Sequence, residues 1–410
     1  MNCVEDIRSL FPALKQNVYG KPLIYFDNAA TSHKPVSVIE LQNRMSSGIN
    51  ANIHRAVHKL SSEATDLYEK GREEVRVFLG AEKREEIIFT SGTTASINLL
   101  AYTFVPHFMK KGDIIIISEE EHHSNIVPWQ IACDKIGAKL SILPVDENGI
   151  LCINKLEEML SDKVKLVTVA HISNVLGIIN PVKKIIEISH SHGIPVLIDG
   201  AQGIVHTSFS VKEMDCDFYV FSGHKIYAPT GIGVLYGKKK LLEQLPPYMG
   251  GGDMIDTVTF KKTTYADLPL KFEAGTPNFI GASCLSPALK FAAQVRESSL
   301  FQEYERNLIL FLFEELNKIE GLKILGTPKK IEDKIALFSF TVEGVHPTDI
   351  AQIIDKMGIA VRSGLMCAEP LIRRFSDTGM LRASLAPYNT MEEAEQFIIS
   401  LKRSISMLRG

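Results

Sequence analysis

The sequence predicts an α/β fold: a large unit on a mostly parallel sheet flanked by helices, then a smaller α+β unit. Three observations carry this. Short apolar runs at Ile87, Asp113, Lys165, Pro195 and Phe218 alternate with helical segments, the arrangement that builds a mostly parallel sheet. The polar residues able to do chemistry fall just past the ends of those runs, where open α/β sheets bind ligands. From about residue 290 the alternation stops, and a long helix is followed by a different order of strands and helices. The expected division is 23–289 for the large unit, with 1–22 and 290–410 forming the small one.

Composition bounds the function. With 410 residues, 45% apolar and 23% charged, the chain can bury a large core and reads as an ordinary globular protein. A net charge of −3 gives no reason to expect nucleic acid or an anionic membrane as partner. No apolar stretch reaches the length of a membrane span. The start, Met1 to Arg8, has no basic segment leading into an apolar one, so no secretory signal is expected and the cytoplasm is the expected compartment. The six cysteines are scattered, with no C-x-x-C pair. That argues against a metal site or a disulfide framework.

In chain order, Val4 to Phe11 reads as a short amphipathic helix, and Tyr25-Phe-Asp-Asn-Ala-Ala-Thr31 as a loop. A polar stretch with Asn52-Ile-His-Arg-Ala-Val-His58 has the plain reading of a solvated helix or loop. Ile87 to Asn98 reads as strand, glycine turn and helix, with Thr93 and Thr94 at the helix start. Free amides there make an anion site, although Ser and Thr are favoured as caps anyway. The strand Asp113 to Ser118 runs into a loop with His122 and His123, before a helix carrying Pro128 and Trp129. A flat ring at such a strand end can stack on a ligand; a loop histidine is otherwise usually just solvated. Lys165 to Ala170 is the next strand and ends at Asn174; a helix from Val182 to His192 then leads to a strand ending in Asp199, with Gln202 three residues on. Three glycines at 250–252 mark a mobile or sharply turned loop. The last part reads as a helix from about Leu300 to Ile319, strands Ile335 to Val342, Ile359 to Arg362 and Leu381 to Leu385, a helix Thr348 to Met357, and a final helix from Met391.

Lys225 lies in Ser222-Gly-His-Lys225, between the apolar runs Phe218 to Phe221 and Ile232 to Tyr236. Taken alone it is as readily a surface lysine in a hairpin as a reactive one. A desolvated lysine has a depressed pKa and attacks carbonyls to give a Schiff base. Asp199 ends the preceding strand, and a carboxylate there suits the ring nitrogen of pyridoxal phosphate, whose enzymes pair such an acid with such a lysine.

These stretches, with Arg362-Ser-Gly-Leu-Met-Cys367 and Leu381-Arg-Ala-Ser384, resemble the class V aminotransferase family of pyridoxal phosphate enzymes. Within it the chain resembles the group II, SUF-type cysteine desulfurases, from Tyr25 to about Thr390. The resemblance implies a fold-type I transferase and a homodimer using pyridoxal 5'-phosphate. It implies Lys225 for the Schiff base, Asp199 for the pyridinium, His122 stacked on the ring, and Asn174 and Gln202 at its phenolic oxygen. Thr93, Thr94, Ser222, His224 and Thr276 from the partner subunit would hold phosphate. Arg382 would grip the substrate carboxylate, with Arg362, Asn28 and Ala29 beside it, and Cys367 would take the sulfur of L-cysteine. Arg55 would stand near the partner's site entrance, and residues 1–22 would pack on the C-terminal unit. The implied acceptor is a protein of the SufE or SufU kind, serving iron–sulfur cluster assembly. Selenocysteine lyase is the alternative on the same site, and a non-catalytic scaffold is the alternative of another class. The chain departs from the family at Leu365 and Met366, where two histidines are usual, and at Ser91 and Ala95, in place of Arg and Glu.

Overall fold

Seven strands form the central sheet of the computed structural model, which describes residues 3–54 and 56–410; the expectation for Arg55 lies outside the described residues. They are β1 (Ile87–Thr90), β2 (Ile114–Ser118), β3 (Lys139–Leu143), β4 (Val164–Ala170), β5 (Val196–Asp199), β6 (Phe218–Ser222) and β7 (Gly233–Gly237). The spatial order is β1-β7-β6-β5-β4-β2-β3. Strand β7 runs against both of its neighbours, and the pairs from β6 to β3 are parallel. The helices α1 (Lys59–Leu79), α2 (Thr93–Phe108), α3 (Val127–Ile136), α4 (Val182–Ser191) and α5 (Phe279–Arg296) flank this sheet.

Successive strand side chains point to opposite faces, and the core follows that rule. Ile87, Phe89, Val196, Ile198, Tyr219 and Phe221 pack with α1, α4 and α5. Their neighbours Ile88, Leu197, Phe218 and Val220 pack on the other side with Ile97, Phe104 and Trp129 of α2 and α3. Strands buried on both faces read as unbroken apolar runs, which is why these were legible.

A second sheet joins β8 (Leu322–Leu325), β9 (Leu337–Val342), β10 (Arg362–Gly364) and β11 (Met380–Ser384), all antiparallel, in the order β8-β9-β11-β10. Its core includes Leu312 of α6 (Ser299–Asn317), Ile354 of α7 (Pro347–Lys356) and Phe397 of α8 (Met391–Arg409). Ile24 and Phe26, early in the chain, also belong to this second core. The expected single strand Ile359 to Arg362 is two. Ile359–Ala360 pairs in parallel with Ile24–Tyr25, and the chain changes partner at Val361 so that Arg362 faces Arg382 across β10 and β11.

The N-terminal helix spans Val4–Ser9. Arg8 pairs with Glu393 at 2.7 Å, while the Phe11 ring lies against Tyr227, Phe291 and Tyr388. The segment therefore touches both units. Among the described residues, no helix is long and apolar enough to cross a membrane.

Candidate active site

The carboxyl ends of the parallel strands converge on one cleft of about 240 Å³. Strand β6 ends at Ser222 and turns once through Gly223–Lys225. The His224 carbonyl is held by the Ser32 N–H and hydroxyl, both at 3.1 Å, and by the Thr31 hydroxyl at 3.3 Å, which fixes the turn. Burial pulls the Lys225 ammonium below its usual range; Asp199 opposes this and Arg382 adds to it. Asp199 closes β5, next to β6, and its Oδ1 accepts from the Ala201 N–H at 3.0 Å. Burial raises its carboxyl, partly offset by Lys225.

His122 follows β2. The Ser124 N–H donates to its Nδ1 at 3.0 Å, so the ring proton belongs on Nε2. Burial, with Lys225 and then His123 and Arg382 nearby, holds its pKa down at about 3, so the ring is neutral. Behind it, Glu121 is buried and pushed up to about 8 by that burial; it accepts from Asn125 Nδ2 at 2.7 Å and the Ala170 N–H at 2.8 Å. This buttress between the ends of β2 and β4 had no signal in the sequence beyond its place in the loop.

At the other end, the loop after β1 meets Ser222. Ser222 Oγ accepts from the Thr93 N–H at 2.8 Å and lies 2.9 Å from the Thr93 hydroxyl. Gly92 sits at φ 153°, and a Cβ on Gly233 would stand 2.4 Å from Gly92 Cα, so both close approaches require glycine. Thr94 is exposed to the cleft, and His224 Nδ1 is buried without a protein partner. Ser91 and Ala95 line a separate cavity of about 240 Å³ with Tyr248, Met249 and Phe272.

The second unit supplies the remaining wall. Arg382 is buried; its Nη1 donates to the Asn174 carbonyl at 2.8 Å and its Nη2 to Asp27 at 3.2 Å, while Nε has no partner. Asn174 donates to the Met366 carbonyl at 2.9 Å, and Gln202 to the Ala29 carbonyl at 2.9 Å. Cys367 is exposed and lines the cleft. Its carbonyl accepts from the His123 N–H at 2.7 Å, and His123 Nε2 accepts from the Glu369 N–H at 3.0 Å.

All the predicted site residues except Asn28 and Thr276 line this cleft. Asn28 is turned away: its amide donates to the Tyr25 and Ser384 carbonyls and to Asn389, and it accepts from the Tyr388 hydroxyl. It anchors the turn before Ala29 and is not among the residues that line the cleft. Thr276 is exposed and lies outside the cleft of its own chain. Asp27, which bonds both Arg362 and Arg382, escaped the sequence reading, because nothing in the spacing links it to residues 335 and 355 positions away.

A family description, class-V aminotransferase, matches residues 24–397. The chain belongs to the class-V aminotransferase family. Among its members, the probable cysteine desulfurase of Halalkalibacterium halodurans is 45% identical over 399 residues, covering 97% of each chain. The cysteine desulfurase of Synechococcus elongatus is 44% identical over 400 residues, 98% of this chain, which spans only 63% of that protein's length. The apo structure of the cysteine desulfurase from Thermococcus onnurineus superposes with a TM-score of 0.93 at 36% identity, covering 99% of both chains.

The cleft of this class-V member fits pyridoxal phosphate. The Lys225 amine and the buried Asp199 carboxyl stand at adjacent strand ends. A neutral imidazole shares the cleft, and the unpartnered His224 nitrogen lies beside Thr93, Thr94 and Ser222.

Proposed function

We propose that this chain is a pyridoxal phosphate-dependent cysteine desulfurase, acting as a cytoplasmic homodimer that supplies sulfur for iron–sulfur cluster assembly. The observation that carries the reading is one cleft holding Lys225 beside Asp199 and, from the second unit, Cys367 beside Arg382. Residues 23–289 serve as the cofactor-binding domain, with 1–22 and 290–410 as the smaller domain carrying the cysteine.

When bound, pyridoxal phosphate supplies an electron sink for the bonds at the substrate α-carbon. Lys225 would hold it covalently, Asp199 would face its ring nitrogen, and His122 would lie against its ring. Asn174 and Gln202 would face its phenolic oxygen. Thr93, Thr94, Ser222 and His224 would take its phosphate, with the partner subunit's Thr276 completing that end. The remaining chemistry belongs to the chain. Arg382 takes the carboxylate of L-cysteine, using the Nε–H that has no protein partner. Lys225, whose lowered pKa favours the free amine, carries a proton to and from the α-carbon. The neutral His122 ring offers its Nε2 proton within the same cleft. The Cys367 thiolate then attacks the substrate sulfur. The carbon–sulfur bond breaks, the sulfur stays on Cys367 as a persulfide, and the carbon skeleton takes up a proton and leaves as L-alanine. A thiol of a SufE- or SufU-like protein collects the sulfur.

The test is to incubate the holoenzyme with L-cysteine and assay alanine, sulfide and the persulfide of Cys367 together. Equal yields of alanine and transferable sulfur are expected. Cys367→Ser should keep the cofactor absorbance and its change on adding cysteine, yet form no persulfide. Lys225→Ala should lose the lysine-linked chromophore. Sulfide from Cys367→Ser at the wild-type rate would sink the proposed sulfur transfer.

A further inference from the structure

The end of the cleft formed by Thr93, Thr94, Ser222 and His224 offers hydroxyls and amides to an anion, but little charge. The start of α2 contributes free N–H groups worth about half a positive charge. His224 adds none: burial, with Lys225 and then Lys34 nearby, holds its pKa down at about 4, so its ring is neutral. Among the described residues, the lysines and arginines lining the cleft are Lys225, Arg362 and Arg382. In the reading above Lys225 bonds to the cofactor, and both arginines pair with Asp27 on the opposite wall. A phosphate monoester carries close to two negative charges at neutral pH.

Lys34 stands directly behind this end. It is half-buried, and among the described residues no carboxylate pairs with it. Its ammonium donates to the Ser32 carbonyl and lies 3.5 Å from both the Thr31 hydroxyl and the His224 carbonyl. That carbonyl already accepts from the Ser32 N–H and hydroxyl, so the cation is held against the backbone of the residue whose ring lines the cleft. Burial pulls the Lys34 ammonium down to about 8. A half-buried cation with no counter-ion is costly, and an anion close by relieves that cost.

We propose that Lys34 supplies the charge this end of the cleft lacks: from behind the wall it stabilises the phosphate dianion, and so makes the chain prefer the phosphorylated cofactor to its unphosphorylated form. The inference rests on the reading above, in which the cofactor is pyridoxal phosphate. Lys34 does not itself line the cleft, so it acts through the field of its ammonium and through the His224 turn. A Lys34 that only braced that turn would matter equally for pyridoxal, which can form the same bond with Lys225 but carries no phosphate.

The experiment strips the full chain of its cofactor and titrates it with pyridoxal phosphate and, separately, with pyridoxal, reading the lysine-linked chromophore. In Lys34→Met the affinity for pyridoxal phosphate should fall by about ten-fold, the scale of one charge acting at short range near a protein surface. The affinity for pyridoxal should stay at the wild-type value. Lys34→Arg, which keeps the charge, should restore most of the preference. An equal loss for both aldehydes would show that Lys34 only braces the turn, and overturns the proposal; so does unchanged binding of both. If Lys34→Met does not fold, Lys34→Gln gives the same comparison. Wild type that forms no chromophore with pyridoxal phosphate overturns the cofactor reading and this inference with it. A wild-type chromophore with an unchanged preference in Lys34→Met overturns this inference alone.

Discussion

Lys334 is buried, and among the described residues no carboxylate pairs with it. Its ammonium donates to the Leu176 carbonyl at 2.8 Å and the Gly326 carbonyl at 3.0 Å, joining the loop beyond Asn174 to the second unit. Burial pulls its pKa down to about 7. An unfolded lysine titrates near 10.4, so between those values the unfolded chain holds a proton that the folded chain does not. The resulting cost to stability is fully present below about pH 7 and disappears as pH rises toward the unfolded value. Wild type should therefore gain stability relative to Lys334→Met between pH 7 and 9.5, by as much as a few kcal/mol. Denaturant unfolding of the two proteins at both pH values measures this; a constant difference would mean that folded Lys334 keeps its proton over the whole range, as the unfolded chain does. Nothing in the local sequence marks Lys334, since Lys329-Lys330-Ile-Glu-Asp-Lys334 reads as a solvated charged run. Lys225 was legible because it stands between two unbroken apolar runs. Asp27 was not, because its bonds to Arg362 and Arg382 exist only once the two units have met.

The strands were readable from apolar runs because both faces of the central sheet are covered. The pairing choices were not, since a strand such as Ile359–Ala360 can change partner without any change in composition. Side-chain anchors between elements were equally silent. Arg72 of α1 donates to both oxygens of Glu273, at 2.8 and 2.9 Å, and Glu273 also accepts from the Tyr68 hydroxyl and the Phe89 N–H. Both charged side chains are buried, at 1% and 3% exposure. Removing one partner of such a pair strands a buried charge and costs about 3–5 kcal/mol. Glu273→Gln should thus lower the unfolding free energy by several kcal/mol, and Arg72→Met with Glu273→Gln should recover part of it. Thr276 lies three residues beyond this anchor, so the single variant should also weaken cofactor retention in dilute protein. Equal stability of wild type and Glu273→Gln in a denaturant titration would show that the pair holds nothing.

At the scale of the whole molecule, both units wall the cleft: Lys225 and Asp199 come from the large one, and Cys367, the proposed sulfur acceptor, from the small one. The loop between β10 and β11 that carries it is restrained on both sides. The Ala368 N–H donates to the Leu365 carbonyl at 2.8 Å, Asn174 holds the Met366 carbonyl, and the His123 N–H holds that of Cys367. Met366 and Cys367 both sit in the left-handed region, at φ 48° and 54°, a conformation non-glycine residues keep only when their surroundings impose it. Met366 is buried in the core of the large unit with Leu365 packed against that core, so the Leu-Met pair adds an apolar peg to the loop. A loop held this way does not swing out with its cargo. Cys367 is nonetheless exposed, so an acceptor thiol can come to it. In the proposed reaction, persulfide left at the cleft would obstruct the next L-cysteine, and sulfur removal should limit turnover. Rapid-mix measurements should show a burst of about one alanine per site and then a slow phase. Thiol reductant or a SufE- or SufU-like acceptor should speed only the slow phase. Met366→Gly, which relieves the left-handed position and removes the peg, should loosen the loop and accelerate the slow phase without reductant. Linear alanine release, indifferent to reductant and acceptor, would show that the loop does not confine the sulfur.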